Sequence, residues 1–151
     1  MAVDLHLHSN RSDGTDPPAT VVELAVSAGL EAIALTDHDT LEGIEAARAA
    51  AADRIRLIPG IELSVEWTTG EMHLLGYWIE PGTGPVEERL FELRRDRNRR
   101  NEEIVGALGA LGIDITVDEI VAEAGGSSVG RPHIGAVLLR RGVVELSLIH
   151  I

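Results

Sequence analysis

Near its start the chain reads Asp4-Leu5-His6-Leu7-His8-Ser9-Asn10-Arg11-Ser12-Asp13-Gly14-Thr15, which spaces two histidines by one residue inside a short apolar run. An extended strand alternates its side chains between two faces, so Asp4, His6 and His8 are expected on one face and Val3, Leu5 and Leu7 on the other. Two imidazoles on one face make a ready pair of metal ligands, and the polar loop that follows can fold the Asp13 carboxylate back over the strand's end. Imidazole with carboxylate suits zinc, manganese or iron. The chain contains no cysteine, so a metal site must be built from His, Asp and Glu, and disulfides are excluded.

These groups need elements to position them. After the first motif a helix is expected, with Asp16 as its cap, Pro17 in its first turn, Leu24, Ala25 and Ala28 on one face, and Gly29 as its stop. Glu31 to Thr36 is a short apolar run of the kind found in buried parallel strands, giving strand, helix, strand and hence an α/β fold. Sites in parallel α/β architectures form at the carboxyl ends of strands, which places His38 near His6, His8 and Asp13. Asp39 and Thr40 read as caps for a following helix from Leu41 to Ala52. Arg56 to Trp67 predicts another strand, with Glu62, Ser64 and Glu66 sharing a face and Glu66 read as an exposed edge residue. A turn at Thr68-Thr69-Gly70 leads to a further strand over Met72 to Ile79. If residues 66 and 71 pair across that turn, Glu62 and His73 share a sheet face; a connection one residue shorter would separate them.

Composition shifts at Glu80 to Pro85, and a long helix from about Pro85 to Leu111 follows, with Val86, Leu90, Leu93, Ile104, Leu108 and Leu111 as its apolar stripe. Continuing that stripe from Leu93 brings Arg97 and then Arg100 to the core-facing side. A guanidinium there needs an anion, and substrate phosphate is the candidate; Arg94, Arg95 and Arg99 read as a solvated, ion-paired face. Thr116 and Glu119 form a capping box for a helix to about Ala124, and Gly125 to Ser128 reads as a flexible connector. A last helix runs from Pro132 to about Arg141, with Gly142 as its stop. Arg131 and His133 at its start lie beside exposed N–H groups and the positive end of the dipole, a natural place for phosphate.

The bulk properties fit a folded domain and argue against wholesale nucleic-acid binding. With 151 residues and 44% apolar content the chain can bury a core, and its formal charge of −12 argues against a basic binding surface. All thirteen cationic side chains are arginine, the better fork for phosphate. No signal peptide and no apolar stretch of membrane-spanning length is present, so a cytoplasmic protein without a membrane association or an evident dedicated protein partner is expected.

The first motif, together with Thr36-Asp37-His38-Asp39, Pro59-Gly60-Ile61-Glu62 and Gly130-Arg131-Pro132-His133, resembles the polymerase and histidinol phosphatase (PHP) family of metal-dependent phosphoesterases, in the family's order and across residues 4 to 133. The resemblance implies that residues 1–82 form the N-terminal part of an irregular (β/α)7 barrel, residues 83–145 a helical insertion, and residues 146–151 a tail of doubtful origin. It implies two or three divalent ions, manganese foremost with zinc or iron as alternatives, held by His6, His8, Asp13, His38, Glu62 and His73. Glu62 would be the bridging carboxylate, and Asp13 and His38 would double as catalytic residues. Clustered cations would acidify and orient a water and neutralise developing charge, so no serine or cysteine nucleophile is needed. The branch most resembled acts on nucleoside 3',5'-bisphosphates and on short RNA from the 5' end. A histidinol-phosphate phosphatase and a non-catalytic metal-binding module are the alternatives. The family's late His-Pro and Asp-x-His motifs are missing, which predicts an incomplete copy that is not itself a competent phosphatase.

Overall fold

The computed structural model describes residues 2–68, 70–82, 84–125 and 128–145. The readings that fall on Thr69, Gly126, Ser127 and residues 146–151, and on the side chain of Glu66, lie outside the described residues.

Four strands, β1 (Val3–Leu7), β2 (Ala32–Leu35), β3 (Arg56–Trp67) and β4 (Gly70–Tyr77), form one sheet in the order β1-β2-β3-β4. The first three pair in parallel, joined by crossover helices α1 (Pro18–Ser27) and α2 (Ile44–Ala51), while β3 and β4 form an antiparallel hairpin. β2 is short and continuously apolar because both its faces are covered, and Ile33, Ala34 and Leu35 are buried. In a flat sheet β4 would lie about 14 Å from β1, three strand spacings away. The Tyr77 hydroxyl nevertheless donates to the Leu5 carbonyl at 3.0 Å, so the sheet is curled, as expected of part of a barrel.

Two helix starts differ from expectation. α1 begins at Pro18 with Pro17 in the capping position and no side-chain cap, and it buries Pro18, Val21, Val22 and Ala25, whereas Leu24 points outward. α2 begins at Ile44 rather than Leu41, and no side chain caps it. Its preceding Gly43 lies so close to the β2 end that a Cβ there would sit 2.9 Å from both Asp37 Oδ2 and Leu35 Cδ2. Asp39 is engaged with β3 instead, donating its N–H to the Glu62 carbonyl and accepting the Ser64 N–H, and does not cap the helix.

β3 changes partner along its length. Residues 56–59 pair with β2 and residues 60–67 with β4, and the switch falls at Gly60, where a Cβ would meet Thr36 Cγ2 at 2.8 Å. Glu66 pairs with Glu71, the even connection, so Ser64 stands opposite His73 on the face that also carries Glu62.

Helix α3 (Pro85–Ala110) is followed by α4 (Val117–Ala124), which has the expected Thr116/Glu119 capping box, and α5 (Arg131–Arg140). Of the expected α3 stripe, Leu90 is buried in the core formed by β2, α1 and α2; Leu93, Ile104 and Leu108 are partly covered; Val86 and Leu111 are exposed. A second apolar cluster joins Ile115, Ile120, Ala124, Val129, Ile134 and Val137. Among the described residues no helix is long and apolar enough to cross a membrane.

Candidate metal centre

The centre is assembled at the carboxyl ends of the parallel strands. His6 lies in β1, which has a register irregularity between Asp4 and Leu7, and His8 lies just beyond it; the two ring centroids are 5.1 Å apart. Asp4 accepts the His6 backbone N–H at 3.1 Å and belongs to no group of candidate metal donors among the described residues.

The loop after His8 folds back as a tight turn. Ser12 and Gly14 both donate backbone N–H groups to the Ser9 carbonyl, at 3.1 and 3.0 Å, and this carries Asp13 over the strand end. Asp37, buried at the end of β2, fixes that turn by accepting the Ser9 N–H and the Ser9 hydroxyl at 2.7 Å each and the Ser12 hydroxyl at 2.8 Å. Burial raises the Asp37 carboxyl above its usual range, against the pull of those bonds. Sequence reading gave Asp37 no role; the signal was the pair of hydroxyls at Ser9 and Ser12, three residues apart.

His38 follows, bridged to Glu62 across the β2–β3 seam. Its ring lies 4.8 Å from that of His8 and 4.9 Å from that of His73. The two Glu62 oxygens divide the site. Oε2 lies 2.9 Å from His6 Nε2, 2.8 Å from His8 Nε2 and 3.6 Å from His38 Nε2, while Oε1 lies 2.7 Å from His73 Nδ1. Asp13 reaches His8 Nδ1 at 2.8 Å and His38 Nε2 at 3.5 Å.

Burial opposes charge on Asp13, Glu62 and His8, but pairing with their neighbours outweighs it. Asp13 is held far below the usual carboxylate range by hydrogen bonds and charge from His38 and His8. Glu62 is lowered by the His6 hydrogen bond and the charges of His38, His8 and His6, and His8 is raised by Asp13, Glu62 and Asp37.

Among the described residues three trios have donor atoms that all lie within 4.8 Å of one another: His6, His8 and Glu62; His8, Asp13 and His38; His38, Glu62 and His73. The six residues are all nitrogen or oxygen donors, and three of them are shared between trios. A donor set of this kind, with carboxylates kept ionised at neutral pH, fits closely spaced divalent ions. A model of the PHP domain matches residues 4–109. The chain belongs to the PHP domain family. It is 33% identical over 145 residues to a 3',5'-nucleoside bisphosphate phosphatase of Chromobacterium violaceum, covering 95% of this chain and 51% of the relative. It is 35% identical over 143 residues to a 5'-3' exoribonuclease of Haemophilus influenzae, covering 94% and 52%. A solved amidohydrolase of Chromobacterium violaceum, with sulfate bound and no metal, superposes with a TM-score of 0.88 at 33% identity over 96% of this chain and 52% of its own. The chain thus spans about half the length of these relatives.

The four residues expected at phosphate in this PHP chain are placed differently from one another. Arg97 meets its anion within the fold: Nε and Nη2 donate to Asp39 Oδ2 at 3.1 and 2.6 Å, and Nη2 also donates to the Ser64 hydroxyl. Arg100 lines, with Ser64, Leu93, Arg97 and Arg99, a groove of about 620 Å³ between β3 and α3. Arg131 is the exposed first residue of α5. His133 is buried, with Nδ1 accepting the Gly130 N–H at 2.9 Å, and burial keeps it below its ordinary value despite Asp13 and backbone hydrogen bonds at Gly130 and Ser12. Arg94, read as part of a solvated face, instead donates to the Asp39 carbonyl at 2.8 Å.

Proposed function

We propose that the protein carrying this chain hydrolyses phosphate esters of nucleotides, with nucleoside 3',5'-bisphosphates or the 5' ends of short RNA as its substrates. The observation that carries this reading is the Glu62 carboxylate, one oxygen of which faces three imidazoles and the other a fourth. The names of the two relatives support the substrate class.

His6, His8, Asp13, His38, Glu62 and His73 would hold the metals, manganese foremost, as donors within the three trios. When bound, such cations acidify water and neutralise charge on phosphoryl oxygens. The chain's own residues do the rest. Asp37 holds the Ser9–Asp13 turn so that Asp13 keeps its place between His8 and His38. Arg100 in the groove and Arg131 at the start of α5 receive substrate phosphate, while Arg97 and His133 maintain the frame around them. Residues 1–82 act as the barrel part and residues 83–145 as a helical insertion, a division supported by the separate apolar cluster of α4 and α5. A cytoplasmic setting, where nucleotides and RNA are met, agrees with it.

Replacing His6 and His8 together by alanine is expected to remove most bound metal with the circular dichroism spectrum retained. Arg131→Ala in the protein carrying this chain is expected to cost roughly 1.5–3 kcal/mol in kcat/KM with metal content unchanged. Unchanged metal in the double variant would refute the centre; unchanged kinetics in both Arg100→Ala and Arg131→Ala would refute the phosphate assignment.

A further inference from the structure

Asp39 is entirely buried, has a left-handed backbone (φ 53°), and belongs to no metal trio among the described residues, yet hydrogen bonds with four residues converge on it. Its N–H donates to the Glu62 carbonyl at 3.0 Å, and its Oδ1 accepts the Ser64 N–H at 2.9 Å. The side chain therefore supplies one more rung to the seam between the β2 end and β3, directly beyond the bridge that sets His38 opposite Glu62. From the other side, α3 grips the residue twice. Arg94 donates to the Asp39 carbonyl, and Arg97, one turn later, donates through Nε and Nη2 to Oδ2.

We propose that Arg97, assisted by Arg94, is a positioning residue for the metal centre and acts through Asp39. A buried carboxylate requires a compensating charge, and removing one partner of a buried pair leaves the other uncompensated. The Arg97 side chain is 9% exposed and that of Asp39 0%, so solvent cannot replace the lost partner. An uncompensated Asp39 leaves its rung, and the first element to move with it is His38, its neighbour in the chain, against Glu62, whose carbonyl it holds. Each of the three trios contains His38 or Glu62, so every bound ion senses the change. The consequence is a direct linkage: the orientation of α3, far along the chain, sets how tightly the N-terminal half holds metal. Removing a group that orients metal ligands typically weakens metal binding by about 10–100-fold.

This inference rests on the metal-centre reading above, and the experiment separates the two. Mn²⁺ alone is titrated calorimetrically into the chelator-stripped chain well below its melting temperature, with thermal denaturation measured in parallel. Arg97→Met and Asp39→Asn are each expected to weaken Mn²⁺ binding about 10–100-fold with the number of ions conserved. The double variant is expected to be no weaker than the worse single one, because the pair acts as a unit. Arg97→Lys, which keeps the charge and loses the two-point grip, is expected to fall between wild type and Arg97→Met. A role confined to stability would lower the melting temperature and leave Mn²⁺ affinity of the folded chain within about twofold, and that result overturns the inference. If Arg97→Met does not fold, Arg97→Lys is judged by the same criterion. A wild-type chain that binds no Mn²⁺ overturns the metal centre and this inference together; wild-type binding with unaffected variants overturns this inference alone.

Discussion

Glu62→Gln is the substitution that most directly tests how the centre is built. It preserves the side-chain volume at a position that is 4% exposed, so the β3–β4 hairpin and its packing are unaffected. It removes one negative charge and turns one of two oxygens into a hydrogen-bond donor. A unit charge pair near 4 Å is worth about 4 kcal/mol at an effective dielectric of 20, and a dication doubles that. Desolvation of the carboxylate offsets several kcal/mol, leaving about 3 kcal/mol net, or roughly a 150-fold loss of affinity. Glu62 belongs to two of the three trios, so the loss is selective. The trio of His8, Asp13 and His38 keeps all its donors and continues to bind, while the other two lose affinity by that factor. Calorimetric titration with Mn²⁺, checked by elemental analysis after gel filtration, reads both affinity and stoichiometry. His6→Ala and His73→Ala serve as companions, because each removes a donor from a single trio and is expected to cost a single ion. A Glu62→Gln chain that binds the wild-type number of ions with affinity within about threefold would show that Glu62 is not shared between sites.

Three further outcomes are expected. Asp37→Ala strands one N–H and two hydroxyls inside the Ser9–Asp13 turn and should cost about 3 kcal/mol in urea denaturation; a loss under about 1 kcal/mol would show that the turn holds itself. Gly14→Ala places a Cβ 2.6 Å from the His8 carbonyl oxygen, a backbone atom that cannot step aside, so the fold should lose about 1–3 kcal/mol and Asp13 should be displaced, seen as weaker Mn²⁺ binding; wild-type melting and binding would contradict it. Burial holds the His133 pKa below its unfolded value, so as pH falls through about 6.5 the unfolded chain takes up the proton first and stability declines until the folded pKa is passed. The difference in stability between wild type and His133→Gln should therefore shift in favour of the variant as pH falls from about 7 to 5, and a constant difference would refute it.

Much of the site was legible from residue type and order. His6, His8, Asp13 and His38 lie in or near strand ends, where an α/β reading puts chemistry, and the resemblance added Glu62 and His73 as ligands. What remained open was parity: a one-residue change in the turn would have sent Glu62 and His73 to opposite faces, and the Glu66–Glu71 pairing decides it. Asp39 was misread because Asp-Thr before an apolar run is also what a helix cap looks like. Its real partner, Arg97, is 58 residues away, and no local pattern encodes a contact of that range. Arg94 was misread for the same reason, since a charged helix face looks identical whether water or a buried carbonyl lies beyond it. In α1 the buried face is the stripe of Pro18, Val21, Val22 and Ala25, spaced i, i+3, i+4 and i+7, and Leu24 falls outside it.

The contacts that build the centre differ widely in their separation along the chain. His8 and Asp13 are 5 residues apart and Glu62 and His73 are 11, whereas His6 and Glu62 are 56 apart and Asp39 and Arg97 are 58. Closing the long separations costs about 2 kcal/mol more chain entropy than closing the shortest, so the turn and the hairpin form early and the seam between them closes last. Interactions made after the rate-limiting step govern how fast the protein falls apart rather than how fast it comes together. Loosening Asp39 from Arg97 should accordingly speed unfolding in stopped-flow experiments and leave the refolding rate nearly unchanged, and a slowed refolding limb would reverse the order of assembly. The residence time of the folded chain is then set at the same seam where α3 meets the strand ends.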